Sequence, residues 1–483
     1  MERDTPSWTE HLDNPYLRGL YAPTIHESEA TELPIEGELP RDLYGAYVRN
    51  GPNAVLEPPN DYHWFDGDGM VHAVYFRNGV ASYRSRQVPT AALAEDLSAQ
   101  KATWAGVMGP LSSTRGFVPK DTANTDVVWH HGKLLALWYL CGEPYALDPT
   151  TLAPMGVDTF ANTRTTTVSA HPKVDPRTGE LVWFTLSDFE PPHMTYGVCA
   201  ADGRVTHQVP IDLPGARAPH DITITKRYSI LHDFPFFHDP DVVRRHGYRV
   251  VRFHRELPTR FGVLPRHGDT HDVRWFEFEP GYVLHMVNAW EEGDWIIMDG
   301  CFEPDPTIVR RPGDGELASM LGNLRVRAHM HRWRMNMASG ACHEEPLDDL
   351  NVEFPLPDTE RYGEKTRYSY VQYLPEDMYT AEFRALVKYD HDDGSCTRYD
   401  YPDGWYGSEA PFAGRRDTAS EDDGYVVTIM THRDGHSEAW VFLATEIERG
   451  PITQVRLPRR VPAGFHAKWI PGPRLWPEEN KSR

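Results

Sequence analysis

From about residue 40 onward the chain is a succession of short runs rich in β-branched and aromatic residues, each closed by Gly, Asp or Pro. "GMVHAVYFRNGVASYRSRQV", "DVVWHHGKLLALWYL", "GELVWFTLSDF", "DVRWFEFEPGYVLHMVNAW", "YVVTIMTH" and "SEAWVFLATEI" all have this form. Runs of this kind bounded by turn formers read as strands and hairpins. Helix signals are confined to "TAALAEDLSAQKA" after Pro89, "DPDVVRRHG" near residue 240 and "ELASMLGNL" at 316–324. The 41 prolines and 37 glycines suit many strands joined by tight turns, and the expectation is an all-β fold with local helical insertions.

Turn signals recur in a similar frame: "LDPTTLAPMG", "AADGRVT", "MASGACHEE" and "DHDDGSCTR". Asp148 and Asp202 are 54 residues apart, as are Gly340 and Gly394. That interval is close to the roughly 50-residue unit of four-stranded propeller blades, which sets a propeller somewhat above a sandwich or barrel on pattern alone. No linker or low-complexity stretch divides the 483 residues, so one large domain accommodates them.

A net charge of −22 argues against nucleic acid or an anionic membrane surface as partner, since both call for a basic footprint. The N-terminus "MERDTPSWTEHLDNPY" is polar, and no stretch approaches the roughly 18 apolar residues of a membrane span. A cytoplasmic enzyme is the default expectation. Cys141, Cys199, Cys301, Cys342 and Cys396 are odd in number and never form C-x-x-C, so any metal falls to histidine and carboxylate.

Histidine is abundant, at 24. By local spacing the best pair is "HMH", where a strand would put His329 and His331 on one face. Arg325, Arg327, Arg332 and Arg334 surround it, however, and a cationic neighbourhood opposes a dication. "WHHG" at 129–132 suits a hairpin turn. His171, His220, His285 and His466 stand in apolar or strand-end settings, 49, 65 and 181 residues apart. Taken singly, each reads as a packed or turn histidine. In a propeller, these intervals would let all four come from different blades and meet at one axis.

An all-histidine donor set leaves an ion its full charge. Imidazole suits Fe(II), and four protein ligands on an octahedral ion leave two positions free. Such ligands need their outer ring nitrogen held, usually by a carboxylate. Glu353 in "LNVEFPLPD" and Glu421 in "ASEDDGYVVTIM" are the acidic residues in apolar strand settings that fit. "FDGDGMVH" alternates Asp66 and Asp68 with glycines but lacks the later glutamate of a calcium loop, so a tight turn is the better reading.

Nine segments, in order, resemble the carotenoid cleavage oxygenase family, which also contains lignostilbene and isoeugenol-type oxygenases. They are "RNGPN", "FDGDGMVH", "ANT" (123–125), "AHPKVDPRTGE", "HDITIT", "HMVNAWEE", "EFP", "EDDGYVVT" and "VPAGFHAKW", spread over residues 36–470. The resemblance implies a seven-bladed β-propeller with a loop and helix cap over its axis. It further implies Fe(II) as cofactor and dioxygen-dependent cleavage of a conjugated C=C bond to two carbonyl products. Residue by residue it makes His171, His220, His285 and His466 the iron ligands, with Glu353 orienting His285 and Glu421 orienting His466. No further catalytic group is implied. The implied partners are an apolar polyene or aryl alkene and dioxygen, with room for a peripheral membrane contact. The implied organisation is an N-terminal extension, 1–35, packed on a single oxygenase domain, 36–483.

One departure stands out. Where the family commonly has "ALWE" or "ALKE", this chain has "ALWYLCGEPY", with Tyr139 in place of a third orienting glutamate. Either Glu143 or the Tyr139 hydroxyl substitutes, or His220 is held less firmly. Trp138 also replaces a lysine that the stilbene-cleaving branch uses near a phenolic end. Phe65 and Trp138 are thus the expected cavity-lining residues, and a carotenoid or apocarotenoid is favoured over a stilbene or phenylpropanoid. Lewis-acid chemistry of the retinoid-isomerase kind and a binding-only propeller are the competing readings.

Overall fold

A computed structural model of the chain describes residues 4–59, 61–111, 119–322, 324–415 and 420–480. Its strands form seven antiparallel sheets of at least four strands each, arranged as the blades of a β-propeller. The second blade runs from Asp126–His130 to Pro154–Val157 and the third from Lys173–Val174 to Val205–Ile211. The fourth runs from Thr223–Ile224 to Arg274–Phe278, the fifth from Tyr282–Glu292 to Cys342–Pro346 and the sixth from Val352–Pro357 to Ser395–Asp400.

The first and seventh blades close the ring by exchanging the chain ends. Ala467–Pro471, near the C-terminus, pairs with Gly45–Asn53 of the first blade. Ile35–Gly37, near the N-terminus, pairs with Thr453–Arg456 of the seventh. Each end region of the chain thereby supplies a ladder strand to a blade built mostly from the other end, which ties the ring shut.

Blades stack face to face, and a separate apolar core fills each of the seven junctions. Tyr47, Val74 and Phe76 meet Val427 and Val441 between the first and seventh blades. Val182 and Phe184 meet Ile224 and Leu264 between the third and fourth. Blades covered on both faces explain why strands such as Asp68–Arg77 read as continuous apolar runs rather than alternating ones. The two 54-residue intervals now have a cause. Gly340 and Gly394 turn the hairpin between third and fourth strands of the fifth and sixth blades, and both take positive φ, +83° and +74°.

Glycine is also required at Gly197, where an added Cβ would lie 2.3 Å from the ring of fully buried Trp183. Gly197→Ala is expected to cost about 1–3 kcal/mol, the usual range for overpacking. Calorimetry should show a lowered unfolding midpoint with far-UV dichroism unchanged below it.

Three helical pieces match the sequence signals: Ala91–Ala99, Pro240–His246 and Ala318–Gly322. The last packs with the N-terminal turns Pro15–Leu17 and Gly19–Tyr21 and with Leu374, Met378 and Phe383 in one apolar cluster. That cluster also takes in Phe354 and Phe465, beside the axis, and so forms the cap. No helix among the described residues is long and apolar enough to cross a membrane.

Candidate metal centre

The first strands of neighbouring blades approach one another round the axis, and residues at or just before them face the same small volume. His171 precedes Lys173–Val174 of the third blade, and His220 precedes Thr223–Ile224 of the fourth. His285 lies within Tyr282–Glu292 of the fifth, where the ladder slips between Val283 and Met286. His466 comes immediately before Ala467–Pro471 of the first. The structure brings all four together. Each is buried, and one donor atom from each lies within 4.8 Å of the others.

The uneven sequence intervals follow from the blades. His171 and His220 are one plain blade apart. The step from His220 to His285 is longer because the fourth blade carries an inserted hairpin, Phe236–His238 with Val251–Phe253, around the helix Pro240–His246. The last interval spans the rest of the fifth blade, the whole sixth and the whole seventh.

His285 Nδ1 lies 2.6 Å from Glu353 Oε2, and its other nitrogen, Nε2, is buried with no hydrogen-bond partner. His171 and His220 bring their Nε2 atoms to 3.1 Å of each other. Glu353 is fixed in turn by the N–H of Phe354, a residue held at φ +56° beside a ladder irregularity. Strained backbone of this kind persists where surrounding structure over-determines it.

The partner of His466 differs from expectation. His466 Nδ1 lies 3.0 Å from Glu409 Oε1, and the other oxygen of Glu409 accepts from the Ala467 N–H. Glu421 does not reach the centre. Its Oε1 accepts the N–H groups of Arg367 (2.7 Å) and Tyr368 (2.9 Å), tying the seventh blade to the sixth. The physical reason is strand position. Glu421 leads into Gly424–His432, a middle strand, whereas Glu409 lies between Trp405–Tyr406 and Phe412–Gly414, which flank that strand. In sequence, the sign of Glu409 was a single acid in the uncharged stretch "SEAPFAG".

Neither substitute expected for the missing glutamate serves His220. The Tyr139 ring stands 6.0 Å from that of His220, and its hydroxyl is bonded to Arg249. Glu143 is ion-paired with Arg164. Among the described residues, no carboxylate lies within ion-pair distance of His220, so the alternative of a less firmly held His220 is the one the geometry favours.

Burial, then the neighbouring imidazoles, holds His171, His220 and His466 well below the ordinary histidine range. Burial acts the same way on His285, but the Glu353 carboxylate outweighs it and raises that ring. Burial pushes Glu409 up to about 7. Neutral imidazole is the form that ligates a metal. Metal–imidazole bonds of about 2.1 Å suit a donor cluster of this size, and the orphaned Nε2 of His285 faces nothing else. Four buried, closely spaced histidines fit a divalent metal.

Over this cluster lies a largely apolar cavity, which His220, His285 and His466 help to line. Phe65, Trp64, Phe354, Phe383 and Phe465 wall it, and Thr125 and Tyr139 are its hydroxyl-bearing neighbours. Trp138 is buried but is not among the lining residues; Tyr139, pinned by its N–H to Thr125 Oγ1 at 3.1 Å, takes that place. The strand Lys133–Leu137 has ended here, and the Trp138 carbonyl accepts the Cys141 N–H at 3.1 Å, so Tyr139 sits in a turn that carries its ring to the cavity.

The remaining motifs are structural. His331 is tied to Glu344, 3.2 Å away, and packs against Phe302 and Trp333. His130 and His131 bridge to carbonyls of the next blade, at Gly179 and Ala201. Asp66 caps the turn Trp64–Asp66 and also accepts the Val107 N–H.

The family model described as retinal pigment epithelial membrane protein matches residues 21–471. A carotenoid 9,10(9′,10′)-cleavage dioxygenase of Crocus sativus is 33% identical over 94% of this chain and 89% of its own length. An isoeugenol monooxygenase of Pseudomonas nitroreducens is 30% identical over 95% of this chain and 99% of its own. Among solved structures, lignostilbene dioxygenase of Pseudomonas brassicacearum superposes with a TM-score of 0.86 at 28% identity, covering 95% of this chain and 99% of that one. With matches running almost end to end, the chain belongs to the carotenoid cleavage oxygenase family and is an alkene-cleaving dioxygenase of the carotenoid and stilbene type.

Proposed function

We propose that His171, His220, His285 and His466 hold Fe(II), and that the enzyme splits a conjugated C=C bond of a carotenoid or apocarotenoid into two carbonyl products. The observation that carries this is the joining of four buried imidazoles to a cavity walled by aromatic rings and free of a cationic anchor. Bound iron supplies a site at which dioxygen is activated beside the alkene. The balance needs no other reactant: the double bond breaks and each of its carbons takes one oxygen atom of O₂.

The chain's own residues set the conditions. Glu353 and Glu409 fix two of the rings, and Phe354 stacks on His466 at 4.7 Å between centroids. Trp64, Phe65 and Phe465, in mutual contact at 4.5–6.2 Å, exclude water and press an apolar substrate toward the histidines. With no Lys or Arg among the described residues that line the cavity, a polyene is favoured over a phenolic stilbene. The same reading treats residues 36–483 as one oxygenase unit with 1–35 packed on it. It puts the enzyme in the cytoplasm, with a peripheral membrane contact as the route by which an apolar substrate arrives.

The test is mass spectrometry of products from a panel of polyenes, apocarotenoids and hydroxystilbenes under ¹⁸O₂. One labelled oxygen in each of two carbonyl fragments of a polyene or apocarotenoid is expected. Cleavage of the aryl alkenes alone would reassign the substrate, and turnover without oxygen consumption would reassign the reaction.

A further inference from the structure

His171 has no glutamate assigned to it, yet a carboxylate stands behind it. Asp126 opens the first strand of the second blade, Asp126–His130, and is 1% exposed. Its two oxygens have separate surroundings. Oδ1 accepts the N–H of Val127 at 2.8 Å and lies 3.0 Å from Lys468 Nζ. Oδ2 has no hydrogen-bond partner and lies 3.4 Å from His171 Nδ1. That gap is a few tenths of an ångström beyond a full hydrogen bond, and a small turn of the imidazole closes it. The backbone on both sides is pinned. The Asp126 carbonyl accepts from Asn50 Nδ2 at 3.0 Å, and the His171 carbonyl accepts from Lys173 Nζ at 3.3 Å. His171 itself is held at φ +59°, a conformation a histidine adopts only where its surroundings impose it.

We propose that Asp126 is the positioning residue for His171: Oδ2 accepts a hydrogen bond from Nδ1–H and thereby turns Nε2 toward the centre shared with His220, His285 and His466. The inference rests on the four-histidine metal site proposed above. Three of the four imidazoles then have a dedicated carboxylate, from three different blades, with His220 the exception. Lys468 acts through Asp126, since it neutralises the buried carboxylate from the side away from the imidazole and keeps the second oxygen free for it. A neutral residue at position 139 is tolerated because orientation of the cluster is carried by Asp126, Glu353 and Glu409.

The experiment uses the full chain, stripped of metal and titrated anaerobically with Co(II), whose visible absorption reports both affinity and ligand geometry. Asp126→Ala is expected to weaken Co(II) binding 10–100-fold, the usual effect of removing the partner behind a metal-ligating histidine, and to alter the visible band. Asp126→Asn keeps an oxygen that can accept from Nδ1–H and should restore both to near wild type. Lys468→Met, which removes the ion pair and leaves the carboxylate, should bind Co(II) more tightly than Asp126→Ala does. If the alanine chain does not fold, Asp126→Leu, which fills the space without an acceptor, takes its place. Wild-type affinity and spectrum in Asp126→Ala, or no rescue by asparagine, overturns the proposal. His285→Ala distinguishes its failure from that of the reading beneath it: if that variant also binds Co(II) like the wild type, the four-histidine site itself is wrong.

Discussion

His285→Ala is expected to purify with almost no bound metal and to lose turnover, while keeping its strand content and ring. The ring of His285 lies 5.1 Å from His171, 5.0 Å from His220 and 4.6 Å from His466, so its loss removes one donor from the heart of the cluster and leaves three. Loss of a partner behind a ligand costs about 10–100-fold in affinity, and loss of the ligand itself must cost more. The fold should survive because the seven inter-blade cores lie between the blades, away from the axis. The local penalty is Glu353, 1% exposed, left with only the Phe354 N–H; an unsatisfied buried group costs about 1–3 kcal/mol. Metal content by elemental analysis, far-UV dichroism and product formation separate these effects. His331→Ala, which removes a buried histidine outside the cluster, is the control and should keep its metal.

Much of this could be read from the chain. The all-β character follows from strand runs that each carry their own turn residues, and the 54-residue interval is the distance between equivalent hairpins of adjacent blades. The four histidines are legible as a set because each stands in an apolar or strand-end setting, at intervals that separate blades can supply. What local sequence does not carry is which carboxylate lies behind which imidazole. Glu421 and Glu409 both precede strands of the same blade, and both look plausible as acids beside apolar runs. The difference lies in which strand is at the edge and which in the middle, which the pairing of Phe412–Gly414 and Trp405–Tyr406 with Gly424–His432 decides. Asp126 is hidden for a related reason: in "ANTDVVWHH" it reads as a strand-opening residue, and its contact is 45 residues away on another blade. Trp138 and Tyr139 show the same limit over a single residue, since which of the two meets the cavity is set by the turn that follows the strand Lys133–Leu137.

The choice between Glu409 and Glu421 gives a paired experiment with a large expected contrast. Glu409→Ala should weaken metal binding 10–100-fold and reduce turnover at a fixed iron concentration accordingly, with recovery as iron is raised. Its carboxylate holds both His466 Nδ1 and the Ala467 N–H, so it fixes the imidazole and the start of the ring-closing strand together. Some loss of thermal stability should therefore accompany the loss of affinity. Glu421→Ala removes two main-chain hydrogen bonds between the sixth and seventh blades, at Arg367 and Tyr368, and nothing at the centre. It should cost stability by less than the roughly 1–3 kcal/mol of a buried unsatisfied group, because water reaches the Arg367 N–H, and leave metal affinity unchanged. The two variants thus separate along different axes: affinity and activity fall for Glu409, stability alone for Glu421. Equal loss of metal in both would mean that affinity follows general loosening of the seventh blade and not the orientation of His466.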